Sequence, residues 1–265
     1  MSEKVTTRID PDLAVREAAD LAATIETDAT LAVSGFGSVG YPKAVPLALA
    51  DDDRDLALTI VSGGSVGDEI DVELAERGAV ARRFPYQSRP GIRDDINDGR
   101  VAFHDRNISQ LGDEVQYGAL CDPDVAIVEA LAVGPDWFVP STSIGHTPAF
   151  VEAADRLIVE VNESQPASLE TLHDVYRPGR PPTREPLPLT DAGERIGSPR
   201  ITFDPTKLEG VIESDRPDAP YSFRDPTEDD LAIAANLASF LRELVTETPL
   251  YDDIVHLQFG VGSLG

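Results

Sequence analysis

The residues with the most chemical potential lie where short apolar runs give way to glycine. The closing stretch DIVHLQFGVGSLG, residues 253 to 265, carries Ile254, Val255 and Leu257 into a turn holding Gly260, Gly262 and Gly265. Glycines placed after a strand let backbone N–H groups approach a ligand closely. A second cluster, Gly35-Phe36-Gly37-Ser38-Val39-Gly40, matches the G-x-G-x-x-G pattern of dinucleotide sites. That pattern needs an uninterrupted helix after the glycines and an acidic residue closing the second strand. Here Pro46 falls inside the helix and the second apolar run closes on Ser62-Gly63-Gly64, so dinucleotide binding is not expected.

Histidine and cysteine offer less. His104, His146, His173 and His256 show no i, i+4 pairing and no H-E-x-x-H context, so no metal site is expected and each reads as a structural residue. No G-x-S-x-G elbow is present. The single Cys121 excludes an intramolecular disulfide and a cysteine-based zinc site, and fits a small buried apolar residue.

Continuous apolar runs must position these groups: residues 30–36, 57–64, 100–105, 124–133, 156–162, 208–214 and 253–260. Unbroken rather than alternating runs predict strands covered on both faces, hence an α/β fold with a mostly parallel sheet flanked by helices. Helices are predicted over 11–27, 41–50, 67–77, 147–156 and 227–247. The last has Thr227 as N-cap, Glu228, Asp229 and Asp230 in its first turn, and a stripe of Leu231, Ala234, Leu237, Ala238, Leu241 and Val245. Proline-rich residues 177–199 read as an extended surface excursion. Residues 214–226 read as a linker. The chain therefore divides into a domain over 1–213 and, from 227 to 265, the start of a second α/β domain that is not completed.

Composition narrows the setting. A net charge of −26 is spread over the 265 residues, and lysine occurs only at 4, 43 and 207 against nineteen arginines. Such a surface repels itself at low salt and is screened over about 3 Å at 1 M, so a salt-rich, halophilic cytoplasm is the expected setting. No Lys/Arg cluster could neutralise nucleic-acid phosphates, and no apolar run approaches a membrane span.

Several segments read in order resemble one family. SGFGSVGYPKAVP (34–46), SGGSVGDEID (62–71), RRFPYQS (82–88), DVAIVEA (124–130), VPSTSIGHTPAFVEAADRLIVEVNESQP (139–166), LHDVY (172–176) and LQFGVGS (257–263) are similar to the acetyl-CoA hydrolase/transferase family, in particular its succinate/acetate CoA-transferase branch within the class I CoA-transferases. The resemblance implies two similar α/β domains meeting at a cleft. It also implies coenzyme A as a substrate without a metal, and a glutamate that attacks the acyl-CoA thioester and carries CoA to an acceptor carboxylate as a glutamyl thioester.

Residue by residue, it implies that Gly260, Val261, Gly262, Ser263 and Leu264 touch CoA, with the Val261 N–H in the oxyanion hole; the family usually has asparagine where Ser263 stands. Ser65 and Ser88 align with hydroxyls lining the small acyl pocket, and Arg216 with an arginine that reaches the carboxylate, a recognition suited to a planar guanidinium. Read alone, the serines also fit turn residues bonded to their own backbone, and Arg216 a solvated cation beside Asp215 and Asp218. Tyr41, Pro42 and Lys43 are assigned to structure.

The family's nucleophilic glutamate lies downstream of residue 265, and Glu129, Glu160 and Glu163, which read as strand-end residues, are not expected to replace it. Three readings share this framework: the N-terminal part of a CoA-transferase or acetyl-CoA hydrolase completed by a second polypeptide or in a homodimer, an inactive remnant, and a carboxylate-binding module. Acyl-CoA and small carboxylates such as acetate and succinate are the implied partners.

Overall fold

A computed structural model describes residues 7–85, 87, 89–191, 193–220, 224–248 and 258. Two compact units divide the chain, Met1–Pro220 and Tyr221–Gly265.

In the first unit, α1 (Ala18–Ala22), β1 (Thr30–Val33), α2 (Ala44–Ala50) and β2 (Leu58–Ser62) are followed by a π-helical turn, Glu69–Leu74. Next come β3 (Val80–Phe84), α3 (Pro90–Asn97), β4 (Ala102–Phe103) and α4 (Ile108–Gln116). The unit continues through β5 (Val125–Val133), β6 (Trp137–Pro140), α5 (Thr147–Ala153), β7 (Arg156–Asn162), β8 (Ile201–Thr202) and β9 (Leu208–Ser214). Among the described residues, seven strands run parallel in the order β4-β3-β2-β1-β5-β7-β9, while β6 pairs antiparallel with the far half of β5 and β8 pairs antiparallel with β6.

The unbroken apolar runs follow from cover on both faces. Leu31 and Val33 of β1 face α1, α2 and the π-helical turn through Leu21, Val45, Leu49, Ile70 and Leu74, whereas Ala32 faces Leu111 of α4 and Phe150 of α5. All nine residues of β5 are buried, as the central strand of such a sandwich must be.

Helix α2 shows how Pro46 is accommodated. It stands in the first turn, where the backbone N–H has no intrahelical partner in any case. The helix expected over 11–27 is shorter than its periodicity suggested. Residues 9 to 16 make backbone bridges instead, Ile9 with Val133 and Val15 with Val211, which covers part of the outer edge of β9. The arginine-bearing β3 and the helices α3 and α4 were not expected. The proline-rich excursion is exposed and closed at its base by Val175 and Ser198, which exchange N–H···O bonds of 2.7 and 3.1 Å.

In the second unit, α6 (Glu228–Glu247) follows the expected bounds closely. Thr227 and Asp230 form a reciprocal capping box, and Arg224 pairs with Asp230 at 2.6 Å. Leu231, Ile233, Leu237 and Phe240 along α6 are exposed. Apart from Gln258, the strand expected over residues 253 to 260 lies outside the described residues.

Candidate functional site

In an open α/β sheet, ligands bind beyond the carboxyl ends of the strands where the strand order reverses. Here that point lies between β1 and β5, and buried polar groups gather there on the adjoining loops and on β5 and β7 themselves.

The loop after β1 runs from Ser34 to Lys43. Ser34 Oγ donates to Gly40 O at 2.8 Å and accepts the Glu129 N–H at 2.9 Å, joining β1 to β5. Ser38 takes φ +67°, a strained value for a residue with a Cβ, and its N–H donates to Ser65 O at 3.0 Å. The structure therefore gives Ser65 a buried position in the loop after β2, with its backbone held by the loop after β1. Three further contacts fix that loop. Ser38 Oγ donates to Val66 O at 3.2 Å, Arg83 Nη2 donates to Gly64 O at 3.2 Å, and Gly67 packs so closely on the Tyr41 ring that a Cβ there would overlap the phenol.

Arg83 itself is fully buried on β3 and grips Asp71 with both sides of its fork, at 2.8 and 3.2 Å. The Tyr41 hydroxyl donates to Glu69 Oε2 at 2.8 Å; burial first, then the Glu69 charge, pushes its pKa well up, so the phenol stays neutral.

Lys43 is the centre of the cluster. Its ammonium is completely buried and donates to Glu129 Oε2, to Asp218 Oδ1 at 3.0 Å and to Tyr41 O at 2.9 Å. Burial works against that charge, but Glu129 and Asp218 outweigh it and raise the Lys43 pKa. Glu129 also accepts from Ser141 Oγ at 2.5 Å and Asn162 Nδ2 at 2.8 Å. Desolvation dominates over Lys43 at this carboxyl and pushes its pKa up to about 7.

The neighbouring Glu160 accepts the N–H groups of Lys43 and Ala44 at 2.8 and 2.9 Å, and its pKa is raised by burial despite those bonds. Its carboxylate thus occupies the amides at the start of α2 that a dinucleotide phosphate would need. Asp218 completes the set, accepting from Gly40 N, Thr142 Oγ1 and Gln165 Nε2 at 3.1, 2.7 and 2.9 Å.

Lys43 neutralises a buried carboxylate cluster. One expectation changes. Glu129 and Glu160 do not sit at strand ends but within β5 and β7, both almost wholly excluded from solvent, whereas Glu163 is exposed.

Arg216 is exposed. Its backbone is pinned by Asn162, which accepts from Arg216 N at 3.2 Å and donates to Arg216 O at 2.6 Å. The residue lines a surface groove with Glu17 of the segment before α1 and Asp51 and Asp52 after α2, a groove that Ser65 does not line. The segments carrying the two are linked by the Arg89 side chain instead: Nη2 donates to Ala219 O at 3.1 Å and Nε to Val66 O at 3.5 Å. Ser88, Gly260, Val261, Gly262, Ser263 and Leu264 lie outside the described residues.

The described histidines sit in packed surroundings. His104 stacks on Phe84 at 4.8 Å, the His173 ring meets Ser141 O at 2.6 Å, and His146 packs on Phe150 with its pKa lowered by burial. Burial and Asp122 push the Cys121 thiol up to about 11, which keeps it protonated. Among the described residues no group of histidine, cysteine and carboxylate side chains is arranged to hold a metal ion, and no helix is long and apolar enough to cross a membrane.

The model of the acetyl-CoA hydrolase/transferase N-terminal domain matches residues 11–213. The chain belongs to this family. It is 38% identical over 252 residues to a succinyl-CoA:acetate CoA-transferase of Clostridium kluyveri, covering 93% of this chain and 47% of that protein. It is 33% identical over 246 residues to an acetyl-CoA hydrolase of Yarrowia lipolytica, covering 87% and 47%. A propanoyl-CoA:succinate CoA transferase of Escherichia coli is 32% identical over 260 residues, with 95% and 52% covered. The chain thus spans about half the length of these family members. Among solved structures, RipA from Yersinia pestis shares the fold with a TM-score of 0.59 at 16% identity, over 85% of this chain and 48% of that one.

Proposed function

We propose that this family member takes part in moving CoA between an acyl-CoA and a small carboxylate such as acetate or succinate, and that its residues 1–265 contribute the carboxylate-binding half of the site. In this reading Ser65 and Ser88 line the acyl pocket, Arg216 meets the carboxylate, and the Gly260 to Leu264 loop binds CoA with the Val261 N–H aimed at the oxyanion. Preorganised amides of this kind stabilise a tetrahedral intermediate without reorganising as charge develops. The covalent glutamate comes from polypeptide outside these residues, either a second chain or a further segment.

The observation that carries this reading is the gathering of the loops after β1 and β2 with the segment after β9 at the point where strand order reverses, in a chain of this family. The internal glutamates support it from the other side. Glu129 is enclosed and paired with the Lys43 ammonium, and Glu160 is enclosed with one carboxylate oxygen held by the Lys43 and Ala44 N–H groups, so neither is open to a thioester in this arrangement. The exposed apolar residues of α6 suit burial against polypeptide equivalent to the other half of the relatives.

Intact-mass measurement after mixing the chain with acetyl-CoA tests the assignment. The chain alone is expected to gain no CoA mass, and an adduct on any of its own glutamates overturns the proposal. Acetyl-CoA hydrolysis is the alternative outcome of the same site, with water in place of the acceptor carboxylate.

A further inference from the structure

We propose that Arg89 is a positioning residue that sets the spacing between the loop carrying Ser65 and the segment carrying Arg216, an inference that rests on the carboxylate site proposed above. Arg89 directly follows Ser88 and precedes α3. Its side chain is four-fifths buried, and its guanidinium spans two otherwise separate pieces of chain: Nε donates to Val66 O, one residue after Ser65, and Nη2 donates to Ala219 O, three residues after Arg216. Asp68 pairs with Nε at 3.1 Å and orients the fork.

Each piece has its own second anchor. Val66 O is also held by Ser38 Oγ, and the 215–219 segment by Asp218 on Lys43 and by Asn162 on the Arg216 backbone. Those anchors hold the first piece to the loop after β1, and the second to that loop, to Lys43 and to β7. Arg89 bridges directly from one piece to the other, and a planar guanidinium suits this task because its donors point in fixed, divergent directions. A lysine in its place has one ammonium on a flexible stem and cannot span both carbonyls in the same geometry.

Amide hydrogen exchange on the full chain, with succinate binding measured by calorimetry in molar KCl, decides the matter. In Arg89→Met, exchange is expected to rise about tenfold or more in both the 63–69 and 215–219 segments, as loss of two hydrogen bonds from a charged donor implies, and succinate affinity to fall by a similar factor. Arg89→Lys should show the same pattern more weakly, and it serves as the test should Arg89→Met fail to fold. A rise in one segment alone or in neither, or a rise in both with unchanged succinate affinity, overturns the positioning role. Absence of succinate and acetate binding by the unsubstituted chain overturns the carboxylate site instead, and the exchange comparison then decides the bridge by itself.

Discussion

Glu129 of β5 and Glu160 of β7 are direct register partners on adjacent parallel strands, and Lys43 serves both, giving its ammonium to Glu129 and its backbone N–H to Glu160. Strands in a sheet run about 4.8 Å apart, so two buried carboxyls are forced close together with Asp218 joining them through the same lysine. One ammonium cannot neutralise three carboxylates, and desolvation resolves the conflict by keeping protons on the glutamates to higher pH.

That conflict has a pH signature. Glu129 titrates near 7 in the folded chain and near 4.5 when unfolded, so between these values the folded state holds the extra proton. Its contribution to stability is fully present below pH 4.5 and is lost as pH rises to about 7. Glu129→Gln should flatten the decline of unfolding free energy over this window, seen by urea titration at pH 5, 6, 7 and 8. An unchanged slope in the variant contradicts the assignment.

Removing the cation should cost more than removing either glutamate. Lys43→Met leaves Glu129 and Asp218 buried without a counter-charge, a loss of about 3–5 kcal/mol. In a Glu129→Gln background the same substitution should cost less, because the residues share one network. A double-mutant cycle with no coupling between positions 43 and 129 would falsify this.

Gly67 has a steric role that its sequence context does not show. Gly67→Ala places a methyl group into the Tyr41 phenol, which Glu69 holds in place, and should destabilise by about 1–3 kcal/mol or more. Thermal unfolding of this variant beside the unsubstituted chain gives the answer. A melting temperature within error of the parent argues that the loop after β2 yields freely.

The charge of −26 predicts a salt requirement. Between 0.1 and 2 M KCl the melting temperature should rise, and NaCl should act similarly if screening is the cause. A flat or falling dependence removes the case for a surface adapted to high ionic strength.

Much of the sheet was readable because burial leaves a local trace: β5, β7 and β9 are largely apolar, β-branched runs within a residue of their expected bounds. β3 left no such trace, because Arg82 and Arg83 interrupt it and Arg83 is paired internally with Asp71, twelve residues away. The Lys43 cluster was hidden for the same reason on a larger scale, its members standing 86, 117 and 175 residues from the lysine. One signal was available, since a lysine between a glycine-rich turn and an apolar helix is unusual in a chain with only three. Ser65 was placed in a loop by its glycine neighbours and by the family resemblance, whereas the link from its loop to Arg216's segment depends on Arg89, which no periodicity marks.

If these residues supply a carboxylate-binding framework while the group that becomes joined to CoA lies elsewhere, as proposed, isotope exchange will show it: purified chain, acetyl-CoA and labelled succinate in molar KCl, with and without a polypeptide corresponding to the other half of a family member. No label is expected in succinyl-CoA from the chain alone, and label is expected when the second polypeptide is added. Transfer catalysed by residues 1–265 by themselves contradicts it.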